Sequence, residues 1–112
     1  MGRSYRLQRN AWFASAFNDV ISKFTPTGSS ASSFAVPASI GQHYVIDGLA
    51  VDGAGNVWVT SNNVNGQDSN ADNLVFEYNN SGTLLSGTVG YAPSPSSVLP
   101  CSVVVDGSGN VW

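Results

Sequence analysis

The sequence predicts an all-β protein built from short antiparallel strands in repeated units, and three observations carry that prediction. An eight-residue pattern, Val-Asp-Gly-x-Gly-Asn-Val-Trp, occurs twice, at residues 51–58 and again at 105–112. Internal repetition of this kind constrains the fold more strongly than local propensity does. Only 10% of the residues are charged, whereas glycine, serine and asparagine are abundant, which suits a loop-rich β chain. The apolar runs are short, alternate with polar residues and end in turn-forming glycines. At 112 residues the chain has the length of one domain.

Residues 1–9 stand outside the repeat. They hold Arg3, Arg6 and Arg9, and Arg9 occupies the place of a turn glycine. The apolar stretch after them is too short for a signal peptide. Met1-Gly2 is not a myristoylation signal either, because Arg6 stands where serine or threonine is required. These nine residues read as a foreign leader. From Asn10, Asn-Ala-Trp-Phe-Ala matches Asn-Val-Trp-Val-Thr at 56–60, so Trp12 corresponds to Trp58. Residues 19–28, DVISKFTPTG, align with 73–82, NLVFEYNNSG, and each reads as a strand running into a glycine turn. A serine- and threonine-rich strand follows each glycine, at 29–36 and at 83–89.

The hinge at 52–56 has a mechanical reading. Glycine reaches positive φ without a steric penalty, and an Asp or Asn side chain can accept hydrogen bonds from nearby backbone donors. Val-Asp-Gly-x-Gly-Asn-Val is therefore a hairpin, and replacing Gly53 or Gly55 is expected to damage it. A phosphate-binding loop is the sharper alternative, but the third glycine is missing and an apolar strand, not a helix pattern, follows.

Spacing then fixes the unit. Gly28 to Asp52 is 24 positions and Gly82 to Asp106 is again 24, whereas Trp12 to Trp58 is 46 and Trp58 to Trp112 is 54. The whole difference lies in one loop, residues 61–72, SNNVNGQDSNAD. Four short strands in 40 to 50 residues are the pattern of a β-propeller blade. With the strands labelled a to d from the tunnel outward, residues 47–89 form a complete blade: a at 48–52, b at 56–61, c at 73–79 and d at 83–89. Residues 10–36 supply b, c and d of a partial blade, and 101–112 begin a third with a and b. The expected fold is thus all-β, with antiparallel four-stranded blades of an incomplete β-propeller.

The residues also carry a family resemblance. Residues 47–82 resemble an NHL-type repeat through Gly-Leu-Ala-Val-Asp, Gly-Asn-Val-Trp-Val and Val-Phe-Glu-Tyr-x-x-x-Gly. Residues 10–37 are similar to blades of the streptogramin (virginiamycin B) lyase group, with Trp-Phe, Ile-x-x-Phe-Thr-Pro-x-Gly and a closing proline. The resemblance implies a propeller in which the b-c and d-a loops open on one face, and it favours an extracytoplasmic or secreted location. It says little of activity, since one blade type serves lactonases, lyases and pure binding proteins.

Loops on a rigid scaffold are where binding is usually placed. His43, the only histidine, falls with Tyr44 and Asp47 in a d-a loop, Tyr91 in the next, and Asn62 and Asn63 in the b-c loop. These six are the candidate ligand-binding residues. A histidine near a carboxylate can act as base or metal ligand, although a lone loop histidine is more often a surface residue. Asp68, Asn70 and Asp72 show the alternating oxygen ligands of calcium loops, making them candidate ligands for a divalent cation, but the glycine and distal glutamate of an EF-hand are absent. The lyases that the chain resembles use histidines and a glutamate around a metal. Glu77, the only glutamate, lies mid-strand with no histidine nearby in sequence, so that apparatus is not carried over. Trp12, Trp58 and Trp112 share one blade position; packing between blades is the plainer account than an aromatic ladder for ligands. Cys101, the only cysteine, excludes an internal disulfide and is expected to be a small buried hydrophobe.

The net charge of −3 and the absence of a basic patch beyond the leader exclude nucleic acid as the expected partner. No run is long enough for a membrane-spanning helix. The expected partners are the remaining blades of a larger propeller or further copies of the chain, and an unidentified small molecule or protein. The expected function is a binding or scaffolding segment with no complete catalytic site. The alternative is a fragment of a metal-dependent propeller enzyme, lyase-like or lactonase-like.

Overall fold

The computed structural model describes residues 10–15, 18–28, 31–37, 44–63, 73–92 and 100–112. All its regular elements are strands: β1 (Ala11–Ser15), β2 (Val20–Phe24), β3 (Ala31–Ala35), β4 (Tyr44–Val51), β5 (Val57–Asn63) and β6 (Leu74–Tyr78). They form two three-stranded antiparallel sheets, ordered β1-β2-β3 and β4-β5-β6. Among the described residues no helix is long and apolar enough to cross a membrane.

Alternation along the strands decides what each sheet buries. In β5 and β6, Val57, Val59 and Ser61 lie opposite Tyr78, Phe76 and Leu74, and all six are buried. Directly paired residues share a face, so these six make one continuous inner face. In the first sheet Trp12 lies opposite Lys23, and Ile21 lies opposite both Ala14 and Phe34. Ile21 and Val36 join the core of the second sheet, with Trp12, Phe34, Leu49 and Leu84 packed around it. The two sheets are therefore stacked through a shared apolar layer. Polar contacts pin the same junction: Tyr78 Oη donates to the Ala35 carbonyl at 2.8 Å and Lys23 Nζ donates to the Asn80 carbonyl at 2.8 Å.

The hinge is a hairpin, as the sequence indicates. Asp52 N–H donates to the Asn56 carbonyl at 2.9 Å, Gly55 N–H donates back to the Asp52 carbonyl at 3.0 Å, and the turn ends on Gly55 with φ of 87°. Positive φ falls on Gly55 and not on Gly53, which narrows the expected sensitivity to one glycine. In the second copy, Asp106 and Asn110 repeat the bond at 3.0 Å, and Val105 bridges Val111.

Four expectations are corrected. The second sheet has three strands rather than four, because residues 83–89 do not form a strand. Leu84 bridges Tyr78, then the chain leaves the edge through a turn with positive φ at Gly87 and Gly90, and Tyr91 returns to bridge Val75. The glycines provide the excursion, and Val89 within it is 78% exposed. Inner strand β4 starts earlier than expected, at Tyr44, which takes Tyr44 and Asp47 out of a loop. Strand β5 likewise runs on to Asn63 and absorbs the start of the 61–72 loop. Finally, Cys101 is exposed instead of buried, since it precedes the point where the chain meets the second sheet.

Candidate binding face

The repeated aspartate is the first functional piece of geometry. Asp52 Oδ1 accepts from the N–H groups of Ala54 and Asn56, both at 2.9 Å, while Oδ2 accepts from Trp58 Nε1 at 3.1 Å. Asp106 does the same with Ser108, Asn110 and Trp112, at 2.9, 2.9 and 3.1 Å. Burial alone would raise the Asp52 carboxyl, but the bonds from Trp58, Asn56 and Ala54 outweigh it and hold it below 3.8. At Asp106 the Asn110 side chain and then the Trp112 indole pull the carboxyl down to about 2. Each carboxylate thus locks a turn and fixes the rotamer of the tryptophan six residues on. That constant spacing was the signal for the bond in the sequence, where the tryptophans read only as packing.

The outer face of the second sheet follows from the same register. Ala50, Trp58 and Glu77 lie in one cross-strand row, and Gly48, Thr60, Val75 and Tyr91 in the next. The Trp58 and Tyr91 rings are 5.9 Å apart and inclined by 31°. Tyr91 Oη donates to Glu77 Oε2 at 3.0 Å, and that bond raises the phenol above its ordinary 10. At the inner end the chain at Ser102–Val103 passes over Gly48 so closely that a Cβ there would lie 2.8 Å from Ser102 Cα. Thr60 is buried beneath this crossing, and among the described residues its Oγ1 has no hydrogen-bond partner. The rest of the face is half-buried at Ala50, Trp58, Val75 and Glu77 and open at Tyr91, which is 43% exposed.

A second opening lies on the outer face of the first sheet. Phe13 and Phe24 meet edge to face at 5.4 Å, and with Ala11, Pro26 and Gly28 they border a cavity of about 670 Å³. Phe13 is 57% exposed.

Of the candidate ligand residues, Tyr44 pairs with Asn63 at one end of the second sheet, and Asn62 pairs with Val45 beside them. Asp47 is exposed at a register shift between Ile46 and Gly48. Tyr91 is on the sheet edge rather than in a loop, away from that end. His43 and the candidate cation ligands Asp68, Asn70 and Asp72 lie outside the described residues. Among the described residues no group of three or more His, Cys, Asp or Glu side chains comes together. The Asn79 amide is committed to the turn, Oδ1 accepting from Ser81 and Thr83 N–H at 2.9 Å each.

Searches of protein-family models, of curated proteins and of solved structures returned no match.

Proposed function

We propose that the chain is a binding or scaffolding segment of an NHL-like β-propeller, acting by presenting packed sheet faces to other protein surfaces. The observation that carries this reading is the half-open outer face of the second sheet, where Trp58 and Tyr91 stack at 5.9 Å on a rigid strand frame. Large aromatic side chains anchored at a polar tip are what protein interfaces favour. The disposition of Glu77 also supports it. The carboxylate lies on a sheet face and accepts from Tyr91, an arrangement that orders the surface.

The reading predicts that purified protein carries no stoichiometric divalent metal, and that calcium, magnesium, manganese or a chelator leaves its melting temperature unchanged. A bound metal in elemental analysis, or a metal-dependent rise in melting temperature, would overturn it in favour of a metal-dependent propeller enzyme.

A further inference from the structure

The internal junction between the two sheets has an unused duplicate. By the repeat, Trp12, Ile21 and Lys23 correspond to Trp58, Val75 and Glu77. Phe34, which pairs with Ile21, corresponds in place to Tyr91, which bridges Val75. The ring contacts agree: Trp12 lies 5.9 Å from Phe34, as Trp58 lies 5.9 Å from Tyr91. On the receiving side, Val57, Val59, Tyr78 and Gly82 correspond to Ala11, Phe13, Phe24 and Gly28. Gly82 is where the Phe34 ring lies so close that no Cβ would fit, whereas among the described residues nothing stands within 4 Å of a Cβ at Gly28. One face with an aromatic to insert and one cradle to receive it are both open.

Among the described residues an unpaired strand edge lies beside the cradle. In the second sheet β4 pairs the inner edge of β5, with Ala50 opposite Trp58. Among the described residues the equivalent edge of β1 has no strand on it, since β1 ends its sheet. The counterpart of β4 in the second copy of the repeat is residues 102–105, which among the described residues pair with 110–112 alone, through the Val105–Val111 bridge and the two Val104–Trp112 hydrogen bonds. Those three residues, Asn-Val-Trp, correspond to Asn10-Ala11-Trp12.

We propose that this chain associates head to tail with a second copy of itself, residues 102–105 of one copy pairing with the β1 edge of the next while Tyr91 of the first enters the cradle over Gly28 of the second. The register is that of the second sheet: Val105 opposite Ala11, Val104 opposite Trp12, Val103 opposite Phe13 and Ser102 opposite Ala14. The incoming β1 replaces 110–112 and adds the pairs at Val103 and Ser102, so backbone bonds are exchanged and extended rather than lost. Strand addition of this kind supplies affinity through the main chain and specificity through alternate side chains. Being heterologous, the contact propagates from copy to copy instead of closing as a symmetric pair. It is weaker than the internal junction, because Glu77 replaces Lys23 and the counterpart of the Lys23–Asn80 bond is missing. The inference rests on the repeat geometry, so metal binding has no bearing on it.

Sedimentation velocity from about 1 µM to about 1 mM is expected to show concentration-dependent association of the wild-type chain. Phe13→Lys spoils the cradle face at an exposed position, and Val104→Pro removes the pairing N–H at a position 60% exposed. Each variant alone is expected to be monomeric, and an equimolar mixture is expected to form a dimer and nothing larger, through the two intact halves. A monomeric wild-type chain, a variant that still associates like wild type, or a mixture that stays monomeric overturns the proposal. A second readout needs no variant. By the register, the Trp12 backbone faces the free edge, so its amide should exchange about tenfold more slowly or less still in the associated state. Association without that protection also overturns the proposal.

Discussion

Gly82→Ala isolates the contact that joins the two sheets. The φ at Gly82 is 84°, close to the 87° at Gly55, so alanine at either site bears a similar backbone penalty of about 1–2 kcal/mol. The surroundings differ. A Cβ at Gly55 meets Asn80 at 3.6 Å, an ordinary contact, whereas a Cβ at Gly82 overlaps Cε1, Cδ1 and Cζ of Phe34. Carbon atoms settle at about 3.5–4.0 Å, so the ring must withdraw by more than about 1 Å. Such overpacking adds about 1–3 kcal/mol. Gly82→Ala should therefore cost about 2–5 kcal/mol in all, a large share of the stability of a small domain. With a urea slope of about 1–3 kcal/mol/M, its midpoint falls clearly further than that of Gly55→Ala. Combining Gly82→Ala with Phe34→Ala should cost less than the sum of the two, since truncating the ring frees the space. Measurement in the Val104→Pro background keeps association out of the transition. Equal midpoint shifts for the two glycines, or strict additivity in the double variant, would refute the reasoning.

Three further outcomes follow from single side chains. Thr60→Val should raise stability by about 1–2 kcal/mol, because it removes a buried hydroxyl without a partner at nearly constant shape; a lower denaturation midpoint contradicts the burial described for Thr60. Tyr78→Phe should lose about 1 kcal/mol by deleting the bond to Ala35, and in the parent chain burial pushes this phenol up to about 12, so it should remain silent in an ultraviolet titration at pH 10. Asp106 titrates at about 2 in the folded chain against 3.8 for the free group. Its folded pKa is depressed, so its contribution is complete above about 3.8 and is lost as pH falls toward about 2; a carboxyl carbon titration centred near the free value would contradict the turn lock.

The repeat made much of this architecture legible. Trp12 and Trp58 fixed the alignment of β1 with β5, and Phe24 and Tyr78 fixed that of β2 with β6, because a period-two pattern loses its buried face if shifted by one residue. The hairpins were legible for the same reason: Asp and Asn bracket a glycine at constant spacing. Residues 83–91 were not. Serine and threonine suit a strand, yet Gly87 and Gly90 allow a positive φ excursion that propensity alone does not register. The bond between Glu77 and Tyr91 was hidden likewise, since it depends on Tyr91 returning to the edge after that excursion. The loop placement of Tyr44 and Asp47 failed because β4 runs past the end of the repeat pattern, which begins at the glycine after Asp47.

The register shift at Asp47 acts as a phase correction. Downstream of it, Leu49 and Val51 stand opposite Val59 and Val57 on the core side; upstream, Ile46 stands opposite Ser61 and is buried on that side too. Without a bulge, the three steps from Ile46 to Leu49 would by strict alternation carry Ile46 to the opposite side from Leu49. A bulge absorbs one residue and lets the count restart. The charged residue is the one that drops out, and it is the exposed one. Two out-of-step half-strands thus behave as one: deleting Asp47 would leave a regular ladder with Ile46 still on the core side, whereas forcing Asp47 into the ladder would turn a buried isoleucine outward while leaving the hairpin beyond it untouched.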